Sequence, residues 1–265
     1  MEFRTKVAIE KMPWQIEPES SILLVGSCFA DEIGRRFTDN QFRATVNPFG
    51  VMYNPASILH TVERTDDVAD VTFLTLGTNH VYRLKETGEI VDNCQKRPQK
   101  LFTEEELTVE ECASYLRQTA QLLTARNPEV RMVLTVSPIR YAKYGFHGSS
   151  LSKATLLLAA HALASEGHGN IFYFPAYELM NDELRDYRFY APDMIHPSEQ
   201  AVDYIWQQLI EACFGHRAKQ MMAEWQPIRQ ALSHKPFHPD SEEYRRFALQ
   251  TQQRLADFRA KYHRG

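Results

Sequence analysis

Residues 22–37 read ILLVGSCFADEIGRRF. Four apolar residues lead into Gly26, and a helical pattern begins directly after it. Ser27 and Cys28 stand side by side where the apolar run ends. The stretch therefore predicts a short buried strand that turns into a helix, with two candidate nucleophiles at the junction.

The rest of the chain alternates between short apolar segments and longer helical patterns. Further strand patterns, each β-branched or aromatic and bounded by turn residues, occur at residues 42–47, 71–76, 131–136 and 170–174. Helical patterns occur at residues 108–126, 151–165 and 198–214. Strands that alternate with helices indicate an α/β fold, and we predict a three-layer α/β/α sandwich around a parallel central sheet.

Two regions stand outside this alternation. Residues 80–107 contain a predicted hairpin, with its turn at Thr87 and Gly88, followed by a polar connector. Residues 215–265 are a polar helical extension to an α/β domain that spans residues 1–214. Apolar residues recur in the extension at alternating steps of four and three, namely at Tyr244, Ala248, Thr251, Leu255, Phe258 and Tyr262. This stripe predicts a helix that packs on the main domain; a seam between two copies of the chain, and so a homo-oligomer, is the alternative.

Composition argues against several classes of partner. The 265 residues are 43% hydrophobic and 24% charged with a net charge of −4, which gives no electrostatic reason to expect nucleic acid or an anionic membrane as a partner. The longest apolar runs are too short to span a bilayer, and the N-terminus lacks the apolar core of a signal peptide. None of the four cysteines forms a C-x-x-C pair, so we expect free thiols and a cytoplasmic location. Neither a glycine-rich phosphate motif nor a metal-ligand spacing is present, so no cofactor and no metal are expected.

The residues that follow each strand are the candidates for chemistry, because ligands of doubly wound sheets bind beyond the carboxyl ends of the strands. Asp193 and His196 follow the last predicted strand, in the motif DMIHPS. In this spacing Asp193 can accept a hydrogen bond from Nδ1 of His196 and leave Nε2 free to take a proton. A solvent-exposed loop that leads into a helix capped by Ser198 is the structural alternative.

A substrate-binding segment is predicted after the fourth strand, where RYAKYGFHG at residues 140–148 concentrates aromatic, cationic and glycine residues. This mixture suits recognition of a polar or sugar-like acyl acceptor, and a flexible surface loop would have much the same composition. Two residues shortly before Asp193 are further candidates for the pocket lining. The substrate-binding candidates are Tyr141, Lys143, His147, Arg188 and Tyr190.

Four motifs carry a resemblance to a known family: GSCFA at residues 26–30, NPFGVMYNP at 47–55, DELRDYRFY at 182–190 and DMIHPS at 193–198. Over about residues 1–210 the sequence resembles the GSCFA family, which is grouped with the SGNH (GDSL-type) esterases and lipases. The resemblance implies an SGNH-like sheet with the flavodoxin-like strand order. It implies the layout of a site more firmly than a substrate.

The SGNH pattern aligns with LVGSCFA without a gap. Gly26 then takes the place of its glycine, Ser27 that of its aspartate, and Cys28 that of its nucleophilic serine. The further residues that the resemblance implies are Gly50 and Asn79 in the oxyanion hole, and Asp193 with His196 as the catalytic pair.

Two positions depart from that pattern. Cys28 replaces the usual serine, and His80 replaces the aspartate that normally follows the asparagine. Since the second departure weakens the match at Asn79, Asn93 in the downstream DNCQK is a second candidate for the side-chain oxyanion donor.

Ser27 and Cys28 compete for the role of nucleophile. A side chain in the first turn of a helix lies at the positive end of the helix dipole, and with His196 nearby this predicts a lowered thiol pKa and a thiolate at Cys28. Ser27 is the alternative nucleophile, and the N-cap of the helix is its structural role if Cys28 reacts.

A site made of Cys28 (or Ser27), His196 and Asp193 predicts acyl transfer. We expect an esterase or acyl hydrolase that acts on a small or carbohydrate-linked acyl ester. The alternatives are an O-acyltransferase with an alcohol or sugar acceptor, and a non-catalytic carbohydrate or ligand-binding module on the same scaffold.

Overall fold

The structure, a computed structural model, describes residues 4–92, 94, 97–166, 169–238 and 240–262. Its strands are β1 (Ser21–Gly26), β2 (Arg43–Val46), β3 (Val71–Leu76), β4 (His80–Leu84), β5 (Ile90–Val91), β6 (Phe102–Glu106), β7 (Arg131–Val136) and β8 (Ile171–Tyr173). Its helices are α1 (Cys28–Asp39), α2 (Pro55–Arg64), α3 (Val109–Arg126), α4 (Gly145–Ser165), α5 (Ala176–Glu178), α6 (Glu199–Cys213), α7 (His216–Ser233) and α8 (Glu242–Tyr262). None of the described helices combines the length and the apolar character needed to cross a membrane.

The central sheet has the strand order β2-β1-β3-β7-β8, and all of its strands are parallel. This is the flavodoxin-like order, so the predicted fold class is confirmed. The chain leaves β1 toward β2 on one side and returns to β3 on the other, which makes the carboxyl end of β1 a topological switch point. Ligands of such sheets bind at that point, and Ser27 and Cys28 follow β1 there.

An apolar cluster covers each face of the sheet, as a three-layer sandwich requires. Successive residues of β1 point to opposite faces, so that Leu23 belongs to one cluster and Leu24 to the other. The Leu24 cluster includes residues of α1, α6, α7 and α8, and the Leu23 cluster includes residues of α2, α3 and α4. Helices α1 and α6 therefore share one face of the sheet.

A second, antiparallel sheet in the order β5-β4-β6 follows β3. The predicted hairpin corresponds to β4 and β5. The polar connector predicted after it contains a further strand, since β6 pairs along the whole of β4. The sequence of β6 is FTEEE, in which Phe102 alone is apolar and buried, so no alternation of apolar and polar residues marks it as a strand.

The C-terminal helix, α8, packs on the rest of the protein through its C-terminal half. Phe258 and Tyr262 of α8 are buried, and the Phe258 ring lies 5.3 Å from the Trp225 ring of α7. Leu255 packs on the same cluster from a half-buried position. The predicted helix is confirmed here, and so is the burial of Phe258 and Tyr262, whereas the N-terminal half of α8 is largely exposed.

Candidate active site

The turn between β1 and α1 buries Ser27 and leaves Cys28 partly exposed. Gly26 has a φ of +147°, and a Cβ atom there would lie 2.2 Å from the carbonyl oxygen of Thr75, so glycine is required. Ser27 is 1% exposed, and its Oγ accepts a hydrogen bond from the Phe29 N–H at 3.3 Å. Ser27 is therefore the N-cap of α1, and Cys28 is the first residue of the helix.

Cys28 faces the histidine of the D-x-x-H motif. Its Sγ lies 3.8 Å from Nε2 of His196, and Nδ1 of His196 lies 2.6 Å from Oδ2 of Asp193. With the carboxylate accepting from Nδ1, a neutral imidazole carries its proton on Nδ1 and offers Nε2 to the thiol as a base. The fold thus brings these three residues into one path for proton transfer.

Hydrogen bonds within the loop and from Arg140 stabilise the loop that carries Asp193 and His196. Oδ1 of Asp193 accepts hydrogen bonds from the backbone N–H groups of His196, at 3.0 Å, and Ile195, at 2.8 Å. These bonds favour the carboxylate and lower the pKa of Asp193 to about 2. Arg140, which follows β7, donates its backbone N–H to the Ile195 carbonyl and its guanidinium to the Met194 carbonyl, both at 3.1 Å.

A buried arginine joins the helix that begins at Cys28 to the helix that follows His196. Arg36 is 6% exposed, and its guanidinium donates to Oε2 of Glu199 at 2.9 Å and to Oδ1 of Asp203 at 2.7 Å. Since α1 begins at Cys28 and α6 begins three residues after His196, these ion pairs help to fix the separation of Cys28 and His196. A basic residue on an amphipathic helix is an ordinary surface pattern, so nothing in the sequence marks Arg36.

The environment of Cys28 raises the pKa of its thiol above the ordinary value. Burial is the main cause, and hydrogen bonds from the Cys28 backbone N–H and the Tyr53 hydroxyl oppose it only in part. The predicted lowering of this pKa by the helix dipole and His196 is therefore wrong, because the loss of water around the sulfur is the larger effect. Cys28 is a thiol at neutral pH and needs a base to remove its proton.

The predicted oxyanion donors are occupied elsewhere or lie outside the described residues. The Gly50 N–H donates to the Asn47 carbonyl at 2.8 Å within a tight turn. Nδ2 of the buried Asn79 donates to the Leu107 carbonyl at 2.7 Å, because the chain enters β4 directly after this residue and turns the amide toward the end of β6. This geometry does not support the oxyanion roles of Gly50 and Asn79. Asn93 lies outside the residues that the structure describes.

The loop after β2 brings Tyr53 close to Cys28. Its carbonyl accepts hydrogen bonds from the N–H groups of Gly77 and Thr78, at 2.9 and 2.8 Å, which anchors the loop to the carboxyl end of β3. A Cβ atom at Gly77 would lie 2.9 Å from that carbonyl oxygen, so the close approach needs glycine. The Tyr53 hydroxyl lies close enough to the Cys28 sulfur for the two groups to affect each other's pKa. Tyr53 is not among the predicted site residues, although its place in NPFGVMYNP is a signal for it.

One cavity is lined by Cys28, and a second cavity shares Ile139 with it. The smaller one, of about 260 Å³, is lined by Cys28 and His196 together with Phe29, Glu32, Ala191, Pro197, Glu199 and Val202. The larger one, of about 590 Å³, is lined by aromatic and polar side chains that include Arg140, Tyr177, Asn181, Asp186, Tyr187 and Tyr190. Among the described residues no three His, Cys, Asp or Glu side chains are grouped to hold a metal ion.

Of the predicted substrate-binding residues, Tyr190 lines the larger cavity and Tyr141 lies next to Tyr53. The rings of Tyr141 and Tyr53 pack edge to face with 5.8 Å between their centroids. Lys143 instead binds the small sheet, where its Nζ donates to Oε1 of Glu104 at 2.7 Å. Lys143 therefore ties its segment to β6, and this contact does not support a substrate-binding role.

His147 and Arg188 line neither of the two cavities. The segment predicted as a loop ends at Gly145, where α4 begins, so His147 is an exposed residue of a helix. Arg188 pairs with Asp186 at 3.7 Å and lines a separate cavity beside the N-terminal segment. Substrate contacts of His147 and Arg188 are therefore not supported, and the glycines at the start of α4 explain why its first turn reads as a loop.

A buried lysine also borders the larger cavity. Lys153 of α4 is 2% exposed, and its Nζ donates to the Gly77 carbonyl at 2.7 Å. The same Nζ lies 5.7 Å from the centroid of the Tyr141 ring. Burial lowers the pKa of Lys153 to about 7, and the charge of Cys28 opposes this shift. The lysine is therefore a titratable group that interacts with Cys28.

The sequence matches a family that is described as the GSCFA family over residues 21–69 and 65–209. It also matches the GSCFA domain protein, C-terminal domain, over residues 225–264. The first match contains the residues of the Cys28 site. No match was found among curated proteins.

The fold is similar to those of solved esterases at low sequence identity. An acetyl-xylooligosaccharide esterase from Geobacillus Stearmophilus is 13% identical, with a TM-score of 0.51, and the match covers 75% of this chain and 95% of that one. A member of the lipolytic protein G-D-S-L family from Veillonella parvula DSM 2008 is 15% identical, with a TM-score of 0.47 and coverage of 72% and 96%. At such identities the likeness shows the fold alone.

Proposed function

The chain belongs to the GSCFA family, and from this membership and the geometry around Cys28 we propose that it is an acyl-transfer enzyme, an esterase of the SGNH type. The observation that carries the proposal is the series of contacts from Cys28 Sγ to His196, at 3.8 Å, and from His196 to Asp193, at 2.6 Å. A nucleophile, a base and a group that orients the base are the parts that acyl transfer requires.

In the proposed reaction Sγ of Cys28 attacks the carbonyl carbon of an ester, while the thiol proton passes to Nε2 of His196. The π electrons of the carbonyl move to its oxygen. When they return, the bond to the alcohol oxygen breaks, and His196 gives its proton to the leaving alcohol. Water then attacks the resulting thioester with His196 as base, which releases the carboxylic acid and restores the thiol. Asp193 orients His196 and stabilises its cationic form throughout.

The two cavities support an ester with a small acyl group and a larger, polar alcohol. We place the acyl group in the cavity of about 260 Å³ beside Cys28, which has room for a short chain. The alcohol portion would occupy the larger cavity, where Tyr187 and Tyr190 offer ring faces and Asn181 and Asp186 offer hydrogen-bonding groups. Rings combined with amides and carboxylates suit a sugar-like alcohol, so a carbohydrate-linked ester is the proposed substrate class.

Acylation of the purified protein by activated short-chain esters tests this proposal. Rapid mixing with 4-nitrophenyl acetate, followed by mass spectrometry, should show one acetyl group on the peptide that contains Cys28. Cys28→Ala should lose this adduct, whereas Ser27→Ala and Cys94→Ala should keep it, since Ser27 caps α1 and Cys94 is the other partly exposed thiol. Release of the acyl group to added sugars in preference to water would assign a transferase.

Absence of any adduct with acetyl, butyryl and sugar esters would favour the non-catalytic binding module instead. Loss of the adduct in Ser27→Ala, with retention in Cys28→Ala, would make Ser27 the nucleophile.

We further propose a cytoplasmic location. All four cysteines are free thiols, although Cys28 and Cys94 are partly exposed. Thiols persist in reducing compartments, which supports this location.

A further inference from the structure

On the basis of the proposed acyl transfer, we propose that the hydroxyl of Tyr53 is the side-chain donor that stabilises the oxyanion formed when Cys28 attacks its substrate. The ring of Tyr141 packs against the Tyr53 ring. The ligand of this donor is the negatively charged oxygen of a tetrahedral acyl adduct on the Cys28 sulfur.

The positions that would otherwise supply the donor are engaged in the fold. The Gly50 N–H is bonded to the Asn47 carbonyl, and the Asn79 amide is bonded to the Leu107 carbonyl. The backbone N–H of Cys28 is available at the start of α1, but a single donor leaves one side of the oxyanion without a partner. The site therefore needs a second group that reaches the same space.

Tyr53 reaches that space because its backbone and Ser27, the neighbour of Cys28, both lie against Gly77, and its hydroxyl interacts with the Cys28 sulfur. In the tetrahedral adduct the former carbonyl oxygen is only two bonds from Sγ. As the negative charge passes from sulfur to oxygen, the hydroxyl can follow it by a small movement of the side chain. The Tyr53 ring is 39% exposed, so a substrate can approach it, and its backbone carbonyl is fixed by Gly77 and Thr78.

The surroundings of Tyr53 support a role as a neutral donor. Burial is the largest of the effects that raise its pKa, so the phenol keeps its proton at neutral pH. The Tyr141 ring packs against it at 5.8 Å, and the buried Tyr141 hydroxyl has no hydrogen-bond partner among the residues that the structure describes. Lys153 lies 5.7 Å from the Tyr141 ring and interacts electrostatically with Cys28. Among the described residues, an unpaired hydroxyl thus belongs to the ring that packs against Tyr53.

The test compares two reactions of the same sulfur. Acylation by 4-nitrophenyl acetate passes through an oxyanion, whereas alkylation by iodoacetamide displaces iodide without one. Tyr53→Phe removes the hydroxyl and keeps the ring that packs on Tyr141. At high pH, where Cys28 is fully ionised, we expect Tyr53→Phe to lower the limiting acylation rate about 100-fold. The limiting alkylation rate should stay within about 2-fold of the wild-type value, because no oxyanion forms.

Tyr144→Phe is the matched control. Its ring is stacked on Tyr141 at 6.2 Å, but its hydroxyl donates to Glu104 at 2.6 Å, so its limiting acylation rate should match that of the wild type. A wild-type acylation rate in Tyr53→Phe would overturn the inference and leave the proposed function standing. So would an equal fall of both rates in Tyr53→Phe, because that would indicate a structural role only. If the wild-type protein formed no acyl adduct, the proposed function would fail and this inference with it.

Discussion

Nδ1 of His196 lies 2.6 Å from Oδ2 of Asp193, three residues earlier in the chain. This contact leaves Nε2 of His196 as the basic atom, 3.8 Å from the sulfur of Cys28. Because burial keeps Cys28 protonated, attack depends on a base, and the geometry offers His196 for that role.

His196→Ala should therefore lower the acylation rate of Cys28 by about 10²- to 10⁴-fold at neutral pH. The His196 side chain is 44% exposed, so its removal should leave the melting temperature close to that of the wild type. Stopped-flow acylation and thermal unfolding measure the two effects. A variant that acylates at the wild-type rate with an unchanged melting temperature would exclude His196 as the base.

Asp193→Asn should lower the acylation rate less than His196→Ala, because it disturbs the tautomer and orientation of the base without deleting it. The pKa of Asp193 is lowered to about 2, so the contribution of its carboxylate is present above that pH and is lost only below it. The wild-type acylation rate should accordingly show no titration of Asp193 between about pH 3 and pH 5. A larger loss than in His196→Ala would mean that Asp193 mainly holds the loop together.

Alkylation of Cys28 should report its raised pKa. The rate with iodoacetamide should increase through an apparent pKa above the ordinary thiol value, since burial disfavours the thiolate. At neutral pH, Cys28 should therefore react more slowly than a small-molecule thiol with the same reagent. An apparent pKa below the ordinary value would indicate instead that the free protein holds Cys28 as a thiolate paired with an imidazolium at His196.

The C-terminal helix provides a prediction about stability. Phe258→Ala should lower the free energy of unfolding by about 3–5 kcal/mol, because Phe258 is buried against Trp225. Leu249→Ala on the same helix is the matched control, since Leu249 is 67% exposed and should change stability by less than about 0.5 kcal/mol. Urea unfolding measures both. Equal stabilities of the two variants would show that α8 does not pack through Phe258.

The sequence predicts the sheet and the pairing of Asp193 with His196 because both depend on local patterns. Each central strand is a short apolar run, and parallel strands bring their carboxyl ends to one edge. The D-x-x-H spacing then allows the hydrogen bond between Asp193 and His196 within a single loop. These features need no knowledge of how distant side chains pack.

The donors and the pKa values around Cys28 could not be predicted in this way, because they depend on tertiary contacts. Asn79 matches the SGNH pattern, but the chain enters β4 directly after it and its amide meets Leu107. Tyr53 reaches the sulfur only because its carbonyl is anchored at the end of β3. The position of Cys28 at the start of a helix can be inferred from a sequence, whereas the burial that raises its pKa cannot.

Lys153 gives a pH-dependent prediction about stability. Its pKa is lowered from 10.5 to about 7 by burial. Below about pH 7 the lysine is charged in both the folded and unfolded states, so the folded state bears the full cost of burying the ammonium group. Between that pH and 10.5 the folded lysine loses its proton while the unfolded lysine keeps it, so the free energy of unfolding rises with pH in this window.

Lys153→Met removes the titrating group. The difference in unfolding free energy between the wild type and Lys153→Met should therefore show the effect of the Lys153 titration. From about pH 6 to about pH 9 the wild type should gain on the order of 2–3 kcal/mol of stability relative to Lys153→Met, as measured by urea unfolding. The exposed Lys100 serves as the control, because Lys100→Met should show no such change with pH. The stability difference between Lys153→Met and wild type could instead be the same at both pH values. That result would mean that Lys153 stays charged in the folded protein. In that case the lysine would be a permanent cation behind Cys28 rather than a group that titrates near neutral pH.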